Sequence, residues 1–593
     1  MPGIAGIIRF SAYDRIEQDL DAMVNSLVHN DHSSRGRLIE EACGLRIGWT
    51  AHLGSFSDAM PLVSDDGDTV MVFIGENFGD QPSKAATLLE RYAELGERFY
   101  QTLNGWFSGV VIERTGKRVT LFNDRYGMGR VYIHAGADEF LFASEAKALL
   151  KVRPTLREIQ PERLAEYLRY NCVLRGNTLF PEIRLLPHAS AWSFCKSVTP
   201  EKRQYFDYAT WESQPQLEAE PFYEQWADTV ATVFPRYAEG NGDVALSLTA
   251  GLDTRLILAA LREGNGSHPT YTWSGRWGEL FDARTAKKTA AVYGQKHQAI
   301  RVTEDFLNHF DDYARRAVYI SDGTHDAFGA HDIFFNEIAH DIAPVRLTGK
   351  FGSEIVRVRR LVGSSAYRPG LFHPELQAMV EELPTFANTN SQGHPLTRVV
   401  AEEIPWHEYA RNVVEQSQLV LRTPYMDNAL VELMYQAPDS CRKAGDLQER
   451  YVKERAPEFA RFITNMGRFA SDSPLLTRLF YYPFWALFKM EYIYLFATPH
   501  WLTHLDRAFE SLHLERLFSG RQKWEGYRIW AKTHFAQFLR DTLSNSQAYY
   551  TRYFDYKTVN RMVERHTAGT HNYLQEINRA LTVELMWSTL LKA

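Results

Sequence analysis

Cysteine is scarce in this chain, with four in 593 residues. Cys43, Cys172, Cys195 and Cys441 form no CxxC pair and no zinc-ligand spacing, so neither a disulfide framework nor a structural zinc is expected. Scattered thiols suit a reducing compartment, and the cytoplasm is the expected location. A basic excess is also missing, since 66 Lys and Arg stand against 73 Asp and Glu for a formal charge of -7. That argues against a general nucleic-acid binder, which needs a basic face. The opening MPGIAGIIRF lacks the positive start and long apolar core of a secretory signal. The most apolar stretch, Leu479–Ala497, carries Pro483, Lys489 and Glu491. It reads as a buried helix, or as an aromatic-lined surface, and not as a membrane span. The Gly-Lys-Ser/Thr ending of a Walker loop is absent.

Apolar residues make up 45% of the chain and charged residues 23%, the balance of a globular protein. Residues 1–206 read as strand-rich. Val70–Ile74, Gly109–Glu113, Val119–Phe122 and Phe140–Ala143 are apolar runs between Gly, Asp and Asn punctuation. Leu164–Tyr170 begins a helical stretch, and a last strand is expected near Ser190–Phe194. Residues 207–221, DYATWESQPQLEAEP, are polar with two prolines and read as a linker. Residues 222–593 follow another pattern. A helical run, Phe222–Tyr237, precedes the apolar strand Asp243–Leu248. Strands at Thr270–Trp273 and Val345–Leu347 then alternate with helices, which predicts a parallel sheet with helical crossovers. Beyond about residue 400 the chain reads as helical. The pairs His325-Asp326, His331-Asp332 and His340-Asp341 suggest a metal site. Helical spacing scatters them around the axis, so none is expected.

The most informative segment is Leu246–Leu256, LSLTAGLDTRL. A buried strand ends in Thr249, Ala250, Gly251, Leu252, Asp253 and Thr254, and a helix begins at once. Small residues let backbone approach a ligand, and N–H groups at a helix start attract phosphate. The hydroxyls of Thr249 and Thr254 can donate. Asp253, an acceptor, suits a metal better than a phosphate. An ordinary strand–turn–helix with Asp253 near the helix start would use the same residues.

TAGLDT resembles the SGGLDS pyrophosphate loop of the asparagine synthetase family. Further marks follow in the family's order. Tyr271-Thr272-Trp273-Ser274 resembles the strand that contacts adenine. Leu347-Thr348-Gly349-Lys350-Phe351-Gly352-Ser353-Glu354 resembles LSGEGADE, the second wall of the nucleotide site, and Arg422-Thr423-Pro424-Tyr425-Met426-Asp427 resembles RVPFLD. The N-terminal half is similar to class II glutamine amidotransferases. Met1-Pro2-Gly3-Ile4-Ala5-Gly6-Ile7 resembles MCGIAGI, Ile74-Gly75-Glu76-Asn77 resembles NGEIYN, and Ala143 to Leu149 resembles ASExKAL. The resemblance implies an α/β fold: an N-terminal Ntn-hydrolase-like αββα sandwich, then a PP-loop parallel α/β synthetase domain with a large helical C-terminal part.

The departures carry the functional expectation. The family nucleophile is a cysteine at position 2, and here it is Pro2, which has no thiol to form a thioester. The oxyanion-hole Asn is Ile74, which offers no donor. The resemblance therefore implies an amide ligase of the glutaminase-dead kind seen in β-lactam and carbapenam synthetases. Such an enzyme adenylates a small-molecule or peptide carboxylate and joins it to an amine, without nucleic acid or membrane. Homodimerisation stays open. ATP and Mg²⁺ are the implied cofactors. The implied nucleotide-binding residues are Leu246, Thr249, Ala250, Gly251, Leu252, Asp253, Thr254, Ser274, Thr348 and Gly349. Asp253 and Ser353 are the implied metal pair, with Ser353 in place of the family's second Asp and Glu354 beside it. The family's loop lysine falls near Met466. Lys350 and Arg468 are the cations expected to act in its place, with Glu354 as the third candidate catalytic group. The alternative is a catalytically silent homologue that binds nucleotide or a partner.

Overall fold

The structure is a computed structural model that describes residues 2–592 apart from 80–84, 241, 263–267, 277, 387–392, 443–445, 466–473, 497, 500–501 and 505–522. The N-terminal half is built from two six-stranded sheets. Neighbouring strands in both are antiparallel. The first runs Arg184–Leu185, Tyr132–Ala135, Phe140–Ala143, Gly3–Ile8, Leu45–His52, Ser33–Glu40 in spatial order. The second runs Glu201–Gln204, Ser190–Cys195, Arg118–Asn123, Phe107–Glu113, Thr69–Gly75, Leu62–Val63. Alternation along Gly3–Ile8 explains the layering. Ile4 and Ile8 join Val70, Val72 and Phe122 between the sheets. Ala5 and Ile7 face the helices Ile16–Ser26 and Ala146–Val152 on the outer side. Helix Ala85–Leu95 covers the second sheet through Leu88. The result is the expected αββα sandwich.

A parallel five-stranded sheet follows, in the order His297–Arg301, Thr270–Ser274, Val244–Ser247, Val345–Leu347, Val420–Arg422. In chain order this is 3-2-1-4-5, a doubly wound sheet. Its connections leave in opposite directions from the first strand, and a crevice opens at the carboxyl ends of the first and fourth strands. The loops Leu248–Gly251 and Thr348–Phe351 emerge there. After Asn428 the described chain is helical, ending in the long helices Tyr556–Thr567 and Leu574–Met586.

Two sequence expectations change. Residues 207–221 are not a free linker: Ala209–Glu212 is helical with Trp211 buried, and the next helix already begins at Ala219. Trp211 packs against Phe206 and Tyr435, and that aromatic burial outweighs the polar composition. The apolar stretch near residue 480 is a helix, Pro474–Leu495, but it is not simply buried. Glu491 and Leu495 are buried while Leu479, Tyr482, Trp485 and Met490 are exposed. Among the described residues no helix is long and apolar enough to cross a membrane.

Candidate active site

Strand Val244–Ser247 is buried throughout and delivers Thr249–Gly251 to the crevice. Gly251 is the N-cap of helix Leu252–Leu261, and no side chain caps it. The N–H groups of the first turn are therefore left for another acceptor. Thr249 and Thr254 brace the loop from within: their hydroxyls lie 3.2 Å apart, Thr254 Oγ1 accepts the Thr249 N–H at 3.1 Å, and Thr249 Oγ1 accepts the Gly251 N–H at 3.1 Å. Asp282 Oδ1 accepts the Ala250 N–H at 3.3 Å, and burial raises the Asp282 carboxyl to about 6. From below, the buried Arg255 donates to the carbonyls of Ala250 at 3.1 Å, Phe459 at 3.2 Å and Phe462 at 2.6 Å.

The opposing wall touches the first loop directly. A Cβ on Gly349 would lie 2.9 Å from Thr254 Cγ2, and one on Gly352 would lie 2.7 Å from Asp253 Cγ. Only glycine lets the walls close to this distance. Tyr425, from the RTPYMD segment, donates to the Asp253 carbonyl at 2.8 Å, and Thr423 donates to the Lys350 carbonyl at 2.7 Å. Between the walls lies a cavity of about 330 Å³. Of the residues expected to bind nucleotide, Thr249, Gly251, Asp253, Thr254, Thr348 and Gly349 line it.

The other expected residues are placed differently. Leu246 is fully buried within the strand, so Ser247 takes its place at the cavity. Ser274 turns away to donate to the Gly278 carbonyl at 3.0 Å. Ala250 and Leu252 shape the loop without lining the cavity, and Tyr271, Thr272 and Trp273 form its side wall. Trp273 stacks on Phe335 at 4.7 Å, and the Arg346 guanidinium lies over it at 5.0 Å. Lys350 does not face the cavity. Its Nζ lies 2.7 Å from Glu415 and donates to Asn412 at 2.8 Å, and burial lowers its pKa. The cations that do line the cavity are Arg346 and Lys523, with Trp524 and Glu525 beside them. Sequence reasoning missed all four. Arg346 at the centre of the otherwise apolar strand Val345–Leu347 was the one available signal. Arg468 lies outside the described residues.

Glu354 stands in the short helix Gly352–Val356, where burial and then Asp253 and Glu408 raise its carboxyl to about 7. Asp253 and Ser353 are brought together, Ser353 Oγ donating to Asp253 Oδ2 at 3.2 Å. Asp253 Oδ1 meanwhile takes Gln448 Nε2 at 2.5 Å and Arg357 Nη2 at 3.5 Å. Asp253 thus faces a guanidinium, and Glu354 is the second carboxylate within its electrostatic reach. Among the described residues no group of three or more His, Cys, Asp and Glu is placed to hold a metal. The uncapped helix start and open Gly251 fit a phosphate, and Asp253 with Glu354 near it is the carboxylate set that an ion shared with those phosphates would use. Two of the three His-Asp pairs do converge, with His325 at 3.1 Å and His331 at 3.5 Å from Asp332. The chain turns at residues 321–326 before helix His331–Ile342, so helical spacing does not apply. Arg411, at 3.0 Å from the same carboxylate, makes it part of an ion-pair network.

A second cavity, of about 90 Å³, lies between the sandwich and the parallel sheet. Pro2, His52 and Ile74 line it from one side, and Leu419 to Thr423 from the other. His52 Nε2 donates to the Gln416 carbonyl at 2.8 Å, and burial lowers its pKa to about 3. Arg422 spans the boundary to Glu76 at 2.8 Å, and Asn104 donates to Asp427 at 2.6 Å.

Residues 1–206 match a glutamine amidotransferase domain family. The chain is similar to asparagine synthetase 1 of Bacillus subtilis, a glutamine-hydrolysing enzyme by name, at 21% identity over 50% of this chain and 50% of that one. It thus spans half the length of that relative. A putative asparagine synthetase of Methanocaldococcus jannaschii is 20% identical over 60% of this chain and 75% of that one. Among solved structures, the glutamine phosphoribosylpyrophosphate amidotransferase of Bacillus subtilis aligns at 10% identity over 52% of this chain and 92% of that one, with a TM-score of 0.26. The sequence relatives support a place near the asparagine synthetases, at low identity.

Proposed function

We propose that this chain is an ATP-dependent, AMP-forming carbon–nitrogen ligase that activates a carboxylate and couples it to an amine without hydrolysing glutamine. One observation carries the reading: an uncapped helix start and a glycine-bearing second wall enclose a cavity at the switch point of a parallel sheet. A carboxylate oxygen of the substrate attacks the α-phosphorus of ATP, and pyrophosphate leaves. The amine nitrogen then attacks the acyl carbon, AMP departs, and the amine loses a proton. In this scheme the N–H groups after Gly251 hold the phosphates, and Trp273 and Tyr271 offer a wall to the base. Arg346 and Lys523 supply positive charge to the cavity. Glu354, held near 7, is not among the cavity-lining residues, and the amine proton is left to solvent. ATP is the required nucleotide. No step is assigned to a protein-held Mg²⁺.

The N-terminal site supports the glutamine-independent part. Pro2 and Ile74 face one small cavity, where a thiol and an amide would be needed. The natural substrates are a small or peptide-like acid and an amine of a biosynthetic route. The test is pyrophosphate release in the presence of candidate acids and amines, with AMP and not ADP as the second product, and ammonia release with glutamine alone held at background. Steady glutamate release would sink the glutamine-independent reading. A chain that binds ATP but releases no pyrophosphate with any acid would be the silent nucleotide-binding homologue.

A further inference from the structure

The helix Pro474–Leu495 carries apolar side chains on two opposite faces. Its inner face is packed. Phe484 meets Phe281 at 4.8 Å, the Lys523 ammonium lies over Phe488 at 5.0 Å, and Glu491, Tyr494 and Leu495 are buried. Its outer face is bare. Of the ten large hydrophobic side chains exposed among the described residues, seven stand on this helix, from Leu475 at 75% to Ile493 at 42% exposed. Single exposed apolar residues need no explanation, but a contiguous patch marks a surface that binds something. The spacing is regular. Leu475, Leu479, Tyr482, Ala486, Lys489 and Ile493 are all exposed and follow one another in alternating steps of four and three. At about 100° per residue they fall on one stripe, which Trp485, Met490 and Tyr492 flank. The helix runs unbroken through Pro483, so the stripe is continuous.

We infer that this face is the interface with a second copy of the chain, the two helices packing antiparallel along the stripe. Alternating steps of three and four make the heptad seam by which one helix packs into another, whereas a lipid surface imposes no such period. The area agrees. The seven exposed side chains, at ~200 Å² each when fully open, leave on the order of 800 Å² uncovered. Each partner in a standard stable interface buries about 800 Å². Orientation follows from Lys489, the one charged residue of the stripe. A parallel pair would set the two Lys489 ammonium groups side by side. An antiparallel pair, centred between Tyr482 and Ala486, sets each Lys489 against Leu479 of the second copy. It also sets Leu475 against Ile493, and the large Tyr482 against the small Ala486. The Lys489 ammonium already leans on its own Trp485 and Tyr492 rings, at 5.8 and 5.9 Å. That keeps the charge at the edge while its stem covers apolar surface. The same patch serves both copies, so the assembly closes at two.

The experiment is sedimentation equilibrium of the full chain over a range of concentrations, for wild type, Tyr482→Glu and Leu479→Glu. Wild type is expected as a dimer with a Kd of about 1 µM or tighter, as an interface of this size allows. Tyr482→Glu places two unpaired carboxylates at the centre of the seam, so Kd should rise about a hundredfold or more. Leu479→Glu brings each new carboxylate opposite Lys489, so Kd should change by less than about tenfold. Both positions are exposed in the single chain, so both variants keep the fold. A wild type that stays monomeric at about 50 µM, or a dimer that Tyr482→Glu leaves intact, overturns the inference. A loss in Leu479→Glu equal to that in Tyr482→Glu overturns the antiparallel register. Flotation with vesicles of phosphatidylcholine and phosphatidylglycerol is the second arm. A monomer that floats with them, and stops doing so in Tyr482→Glu, assigns the face to lipid and overturns the dimer. None of these outcomes depends on the reaction proposed above.

Discussion

Lys350→Met separates a structural lysine from a catalytic one. In the fold, Lys350 Nζ lies 2.7 Å from Glu415 and 2.8 Å from Asn412 Oδ1, with 12% of its side chain exposed. Removing one partner of a buried ion pair costs ~3–5 kcal/mol, mostly from the charge left behind. Glu415 keeps Arg346 at 3.3 Å and Arg411 at 3.0 Å, so its charge stays compensated. The lower end of the range, about 3 kcal/mol, is therefore expected, including the lost Asn412 bond. Glu415→Gln should cost at least as much, because Lys350 and Arg346 lose this carboxylate at once while Arg411 keeps Asp332. The double variant should cost less than the sum, with a coupling of ~1–3 kcal/mol. Urea unfolding followed by tryptophan fluorescence reads the first transition of each variant at unchanged slope. Additive costs, to within about 0.5 kcal/mol, would refute the pairing. An unchanged midpoint with lost pyrophosphate release would show instead that Lys350 is a free catalytic cation.

Three further outcomes follow from the geometry. Gly352→Ala places a Cβ 2.7 Å from the Asp253 carboxyl carbon, so it should open the two walls, cost ~1–3 kcal/mol in stability and weaken ATP binding in calorimetry. Burial holds His29, His331 and His566 at about 4 and His52 at about 3, below their unfolded value of 6.5. The unfolded chain therefore binds more protons between pH 6.5 and 4, and stability should fall across that window as pH is lowered; a flat denaturation profile there would contradict the burial. Glu354 is raised to about 7 from 4.5, so the stability it contributes is complete below pH 4.5 and lost as pH rises through 7. Glu354→Gln should be more stable than wild type at pH 8 and equal to it near pH 4, which thermal melts at both pH values would check.

The legible parts of this protein are those in which neighbouring residues do one job. TAGLDT announces a backbone that must approach a ligand, because small residues before a helix start leave N–H groups exposed within a few positions of chain. The order of strands and helices after residue 222 is enough to expect a parallel sheet, and the apolar run Val70–Ile74 reads as a buried strand and lies in one. Pro2 and Ile74 could be read as losses without any coordinates, since neither side chain carries the group that thioester chemistry or an oxyanion needs.

What only the tertiary structure decided is which charges meet. Lys350 is adjacent in sequence to two cavity residues, yet the turn after Gly349 carries its side chain to Glu415 on another helix. Arg346 reaches the cavity instead, and Lys523, Trp524 and Glu525 arrive from some 175 residues further along the chain. His325 and His331 converge on Asp332 because the chain turns between them. The place of Asp253 in the loop says nothing of its partners, and Ser353, Arg357 and Gln448 approach it from distant segments. The physical reason is the same in each case. Local pattern sets backbone conformation and the side of an element that faces inward, whereas the state of a buried charge depends on every partner that packing brings within a few ångströms.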